Sequence, residues 1–243
     1  MNNNLLAGIE LYQSYINDIQ KHGCSDIVFA DRIYDLGFHT LEDFFSQKAL
    51  YQLRTSFRNQ HYTTTPAQIM NLSRECIQNK RCAVIDADVE NNCVHIGFGK
   101  DTVINTEYCK QHNIEVYPYD GYGGAIVSGT GDYNLTLIFS DNIDIDTSVI
   151  LKQIQRILSK YFDDVIVDSN DILIDGKKVM GATYAHANNM VFLGVAFAFV
   201  YQPDLVTAIC GTPKTGKEIG CINPEILSRQ QFKKELLSWL LEL

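Results

Sequence analysis

The chain has 243 residues, 46% apolar and 20% charged, with 29 acidic against 20 basic side chains and a net charge of −9. That composition excludes wholesale disorder, and an acidic chain without a basic stripe excludes a nucleic-acid partner, which would need clustered Lys and Arg at the phosphates. The opening MNNNLLAGIE lacks a basic n-region, the longest apolar run (Met190 to Tyr201, 12 residues) is too short for a bilayer, and seven scattered cysteines form no CxxC pair, so a cytoplasmic protein with reduced thiols and no membrane partner is expected.

Taken in chain order, Leu5, Ile9, Tyr12 and Ile16 recur at helical spacing, and Gly23 ends that pattern. A short extended piece around Asp26 to Ala30 precedes a second helix, Leu41 to Phe57. Thr65-Pro66 pairs an N-cap residue with proline at the first helical position and marks a boundary. The expected organisation is therefore a small helical N-terminal appendage, 1–65, and a larger domain, 66–243. In that domain Ala67 to Asn79 reads as a helix, and Cys82 to Asp86 and Cys93 to Gly97 as strands around the turn Glu90-Asn91-Asn92. Thr106 to His112 is a short helix and Ile114 to Tyr117 a strand. Ala125 to Val127 and Tyr133 to Phe139 read as a hairpin. Thr147 to Phe162 carries Ile150, Ile154, Ile157 and Leu158 on one face, an amphipathic helix. Val165 to Val167, Ile172 to Ile174, Val179 to Ala185 and Val191 to Tyr201 are strands, and Ile226 to Leu243 is the last helix. Hairpins dominate over βαβ units. The fold class is thus α/β in the α+β sense, a mixed, mainly antiparallel sheet with helices packed on one side.

Three stretches have residues suited to chemistry. Asp120-Gly121-Tyr122-Gly123-Gly124-Ala125 lets a backbone approach a ligand closely and offer N–H groups to anionic oxygens, or simply makes a turn. Ser169-Asn170-Asp171-Ile172 offers oxygen ligands to a divalent cation, or is a polar turn. After the turn Asp175-Gly176, the strand Lys177-Lys178-Val179-Met180-Gly181-Ala182 points one of its lysines into the sheet's concave face, where it can neutralise a phosphate or carboxylate. The six histidines are as dispersed as the cysteines and give no zinc pattern.

In this order, and together with Asn71-Leu72-Ser73-Arg74-Glu75, the stretches resemble the biotin/lipoate protein ligase superfamily, most closely its lipoate–protein ligase branch. The pieces that carry the resemblance are NLSRE, YDGYGGA, SGTGD, NDI, KVMGATYA, FLGVAFAF and KEIGCI (Lys217 to Ile222), over about residues 66–243. The resemblance implies ATP-dependent activation of lipoate or a related carboxylic acid to an acyl-adenylate, then transfer to the target lysine of a lipoyl-type carrier domain. It implies Lys178 as the catalytic residue, contacting the acid and the α-phosphate. It further implies Tyr122, Gly123, Gly124, Ala125, Ile126 and Gly181 along the acyl and nucleotide site, and Asn170 and Asp171 near phosphate, with Asp171 as a Mg²⁺ ligand.

The sequence departs from the family pattern at several places. Pro118 and Tyr119 stand where the family has paired arginines, Tyr122 replaces the first glycine of its GGG, Ser128-Gly129 replaces its His-Asp, and Asp132 its Asn. Each lost arginine removes charge-assisted hydrogen bonds worth roughly 1.5–3 kcal/mol. Two further readings follow: a degenerate, non-catalytic binding protein on the ligase fold, and an ATP-independent octanoyl or lipoyl acyltransferase with a cysteine nucleophile, for which Cys210 and Cys221 are the nearest residues.

Overall fold

The structure is a computed structural model that describes residues 3–23, 25, 27–97, 103–118, 125–210 and 217–242. In chain order it comprises α1 (Asn3–His22), α2 (Phe29–Asp35), α3 (Leu41–Ser56), β1 (His61–Thr64), α4 (Pro66–Gln78), β2 (Ala83–Asp88), β3 (Cys93–Ile96), β4 (Val103–Ile104), α5 (Thr106–Gln111), β5 (Glu115–Pro118), β6 (Ala125–Ser128) and β7 (Tyr133–Ser140). There follow α6 (Thr147–Leu158), β8 (Val165–Asp168), β9 (Asp171–Ile174), β10 (Lys177–Ala187), β11 (Met190–Phe197), a 3₁₀ turn (Pro203–Ala208), β12 (Ile209–Cys210) and α7 (Arg229–Leu241).

A seven-stranded sheet in the order β1-β2-β7-β11-β10-β9-β8 forms the body. All its pairings are antiparallel except the edge pair β1–β2. Its central strands are apolar almost without interruption, the pattern of a sheet buried on both faces. One face sends Leu135, Leu137, Leu193, Val195 and Phe197 against Ile150, Ile154 and Leu158 of α6 and Phe232, Leu236 and Leu240 of α7. The other sends Ile85, Ile138 and Phe192 against Ile69 and Met70 of α4. Helices thus lie on both faces, which corrects the expectation of one covered side. The physical reason is the alternation itself: Val84 serves one core and Ala83 and Ile85 the other.

The hairpin expected from Ala125 and Tyr133 does not form. β6 pairs with β3 in a separate three-stranded sheet, β5-β3-β6, while β7 lies between β2 and β11. Asp132 makes the crossing possible: its buried carboxylate accepts from the backbone N–H groups of Gly129 at 2.7 Å, Phe199 at 2.8 Å and Val200 at 3.2 Å, tying the link between the sheets to the end of β11. Those bonds also end β11 at Phe197, short of the expected Tyr201. At the N-terminal side, Phe29 and Ala30 open a helix rather than an extended piece, because Phe29, Ile33 and Leu36 join Phe38 and Phe44 in a small core closed by Leu5, Leu11 and Tyr12 of α1. Asp26 lies outside the described residues. Leu53 and Phe57 reach the core under α6 and α7, and β1 forms the sheet's edge just before Pro66. Among the described residues, no helix is long and apolar enough to cross a membrane.

Candidate functional site

The site grows from one turn. Asp175 and Gly176 have φ of 51° and 73°, the left-handed pair that a two-residue hairpin turn requires, and they join β9 to β10 with Ile174 opposite Lys177. The register then slips between Lys178 and Met180, a bulge that re-aims the lysine. Lys178 Nζ lies 2.9 Å from Oδ1 of Asp171, whose side chain is 8% exposed, while Lys177 points to the rim and pairs with Glu218 at 2.8 Å. The two lysines therefore diverge, as strand alternation demands. Gly181 makes the room: a Cβ built there would lie 3.1 Å from both Cε and Nζ of Lys178. Gly181→Ala is expected to displace the ammonium and cut any reaction that depends on it by about tenfold or more, with an almost unchanged melting temperature. Unchanged turnover in that variant would mean that the position of Lys178 is not critical.

A second cation completes the cluster. Lys217 Nζ sits 2.9 Å from Oδ2 of Asp171 and 2.9 Å from Asp168. Burial alone would lower its pKa, but the two carboxylates outweigh burial and raise it. Backbone pairing carries Lys217 there. Glu218 O accepts from Lys178 N at 2.8 Å and Lys178 O accepts from Gly220 N at 2.9 Å, so the KEIGCI segment runs parallel to β10 where β11 has ended. Sequence reasoning quoted that segment without selecting its lysine. The missing information was the pairing, which no local pattern encodes.

From this corner a trough of small side chains crosses the sheet. Asp171, Gly181, Ala196, Asn134 and Ala87 are successive cross-strand partners on β9, β10, β11, β7 and β2, and so share one face. Thr183, Gly194, Thr136 and Ile85 form the next row. Between β11 and β7 lies a hollow of about 20 Å³, lined by Asn134, Thr136, Gly194 and Ala196 below and by Ile69, His95 and Ile126 above. The three-stranded sheet supplies that cover. Ile126 stands opposite His95 on one face, while Ala125 and Val127 turn to a separate core with Val94.

Of the site residues expected from sequence, Asp171, Lys178 and Gly181 thus meet, and Ile126 covers the same sheet face further along. Ala125 faces away. Asn170 is an exposed turn residue whose carbonyl accepts from Ala182 N at 2.7 Å. Tyr122, Gly123 and Gly124 lie outside the described residues. Asp171 does not fit a Mg²⁺ ligand set here: both its oxygens are taken by ammonium groups, and among the described residues no group of three acidic, His or Cys side chains gathers to hold a metal. The two ammonium groups of this corner are balanced by the carboxylates of Asp171 and Asp168.

A buried thiol–imidazole pair sits nearby, with Cys93 Sγ 3.8 Å from His95 Nε2. Burial pushes the thiol up to about 12 and the imidazole down to about 4. Both shifts oppose a thiolate–imidazolium pair, so this cysteine is not an activated nucleophile. The His95 shift has a consequence for stability. A free imidazole titrates near 6.5, so the unfolded chain binds the proton first as pH falls, and folding is weakened progressively between about pH 6.5 and 4. By about pH 5 the loss is ~2 kcal/mol. Urea denaturation across that range should show it in the native chain and not in His95→Ala; parallel curves would exclude it.

The comparisons with known proteins fall on this part of the chain. The model of the lipoyl protein ligase A/B catalytic domain matches residues 65–240. The chain belongs to that family. A lipoate–protein ligase of Streptococcus pyogenes serotype M5 (strain Manfredo) is 30% identical over 112 residues, 42% of this chain and 31% of that protein. Among solved structures, a lipoate-bound protein of P. falciparum superposes with a TM-score of 0.61 at 15% identity, over 74% of this chain and 60% of that one. A bi-partite lipoate protein ligase of Thermoplasma acidophilum, solved in a study of that ligase and its lipoyl domain, gives 0.59 at 17% identity over 75% and 82%. A lipoate-protein ligase A bound with ATP gives 0.57 at 18% identity over 74% and 83%. The lipoyl ligase domain of this chain therefore has the family fold, and the chain spans about a third of the streptococcal relative's length.

Proposed function

We propose that this lipoyl ligase domain activates a lipoyl-type or related carboxylic acid with ATP and passes the acyl group to a lysine of a lipoyl-type carrier domain. The observation that carries the reading is the placement of Lys178, with its ammonium held over Gly181 at the mouth of the trough. Two anions, a carboxylate and a triphosphate, repel each other unless a cation lies between them. ATP supplies the electrophilic α-phosphorus and pyrophosphate as leaving group. Lys178 would neutralise the carboxylate as it approaches and the charge that grows on the phosphoryl oxygens. Lys217, sharing Asp171, would contribute a second positive charge where the family's arginine pair is replaced by Pro118 and Tyr119. Asp171 would hold both ammonium groups in place before the anions arrive.

Acid-dependent ATP–pyrophosphate exchange tests the reading, with straight-chain acids, lipoate and biotin as substrates. Exchange with at least one acid is expected. Silence with all of them would leave a non-catalytic binding protein, the reading that the Pro118-Tyr119 replacement favours. A transferase without ATP has less support: of its two candidate cysteines, Cys221 has its thiol pKa raised by burial, and the side chain of Cys210 lies outside the described residues.

A further inference from the structure

The helical side of the sheet carries a second hollow, away from the trough. α7 buries Phe232, Leu236 and Leu240 against the sheet, and the neighbouring stripe of the same helix, Gln231, Lys234, Glu235 and Ser238, lines a groove of about 680 Å³. Arg54 of α3 and Lys160, just past the end of α6, line it as well. This groove and Lys178 belong to opposite faces: α6 and α7 cover one, and the trough crosses the other.

The charges of the groove do not all cancel in pairs. Glu235 is taken: Lys160 lies 2.9 Å from one of its oxygens and the Tyr161 hydroxyl donates to the other. Glu242 accepts from the hydroxyl of Ser238 at 2.7 Å. Arg54 donates only to a neutral group, the carbonyl of Glu242, and its Nε is buried without a hydrogen-bond partner. Burial lowers the pKa of that guanidinium, and no carboxylate opposes the shift. Among the described residues, Arg54 and Lys234 thus stand outside the ion pairs, although the chain has a net charge of −9. A partly desolvated guanidinium with a neutral partner is an unfavourable arrangement that an anion would relieve.

Beside these cations stands Trp239, the one tryptophan of the chain, which packs on the core and also lines the groove. A guanidinium and an ammonium suit a phosphate, and an indole suits a stacked ring. The volume falls within the roughly 300–1,000 Å³ of small-molecule sites. We infer that this groove is a ligand site separate from the trough, where a nucleoside monophosphate sets its phosphate at Arg54 and Lys234 and its base against Trp239.

Trp239 reports on binding directly, because no other tryptophan shares its emission. Titration of the full chain with AMP is expected to quench that emission saturably. Adenosine or inorganic phosphate alone should need at least tenfold higher concentration. Arg54→Gln is expected to weaken the response to AMP at least tenfold. Lys234→Glu changes an exposed side chain, should leave the fold intact by circular dichroism, and is expected to do the same, so it decides the matter if Arg54→Gln does not fold. Lys178→Ala should titrate like the native chain, since that lysine serves the other face. The absence of a saturable change overturns the inference, as does an equal response to adenosine or an undiminished one in Lys234→Glu. A response lost in Lys178→Ala and kept in Arg54→Gln would put the nucleotide in the trough alone and overturn it too. Pyrophosphate exchange is not read in any of these titrations, so the ligase reading stands or falls separately.

Discussion

Lys178→Ala is expected to lose acid-dependent ATP–pyrophosphate exchange by at least ~10²-fold, the size of effect seen when one well-placed electrostatic donor is removed from a reacting centre. The argument rests on position. Lys178 is 31% exposed, close enough to the surface to meet a soluble triphosphate, and its ammonium is held by one carboxylate oxygen at 2.9 Å. Lys177→Ala is the matched control: that side chain is half exposed, sits on the other side of the strand and pairs with Glu218, itself 63% exposed. Exposed pairs of that kind contribute little, ~0–1 kcal/mol, so the control should leave exchange and melting temperature nearly unchanged. Removing Lys178 should also leave the fold intact, because Lys217 still pairs with Asp171. Equal exchange in the two variants would show that the trough lysine does not act on phosphate.

The largest stability effect is expected on the other face of the sheet. Asp86 is fully buried; its Oδ1 lies 2.6 Å from Nε2 of His61 and accepts from Thr63 Oγ1 at 2.9 Å, while Oδ2 pairs with Lys233 of α7. Burial would raise the carboxyl pKa, but His61, Lys233 and Thr63 outweigh it and hold Asp86 below the usual carboxylate range. One side chain thus joins the edge strand β1 and the last helix to the middle of the sheet. Asp86→Ala leaves the Lys233 ammonium without its main partner in a poorly hydrated place, and breaking a buried pair in this way costs about 3–5 kcal/mol. Lys233 is 21% exposed and keeps Asp88 at 3.3 Å, so a loss of roughly 3 kcal/mol is expected, at the lower end. The contribution of a depressed carboxyl is complete at neutral pH and disappears as pH falls through its folded value, so native and variant stabilities should converge only in strong acid. Urea denaturation at neutral pH decides the matter: a variant within about 0.5 kcal/mol of the native chain, as for an ordinary surface change, would mean that the ion cluster is neutral in its net effect.

Much of this molecule is local in origin and legible as such. Asp175-Gly176 requires a tight hairpin turn whatever surrounds it, because both residues accept left-handed backbone. The helix at Thr147 follows from its apolar stripe, and its cap is the side chain of Asp146, which accepts from Ser148 N at 2.7 Å. Gly23 closes α1, and Pro66 opens α4 as the first-turn proline should. The divergence of Lys177 and Lys178 is likewise a property of any strand. From these pieces, with the order of NLSRE, NDI and KVMGATYA, the family and the identity of the trough lysine could be read.

Other features depended on which distant strand each segment met. Ala125 to Val127 and Tyr133 to Phe139 have the look of a hairpin, yet Asp132 gives its carboxylate to backbone N–H groups 67 and 68 residues further on and sends the two strands to different sheets. Lys217 came to this corner only because its segment lies beside Lys178 where β11 stops, and there Asp171 pairs with both ammonium groups. His95 acquired its place over the trough by the same kind of pairing. Turn chemistry and helical period are encoded in a few neighbouring residues and survive any context. Strand partnership is decided by the burial of whole faces, which no single segment contains, so the sequence by itself determined the turns, most helices and the divergence of the two lysines, and the tertiary structure alone decided what stands across from Lys178.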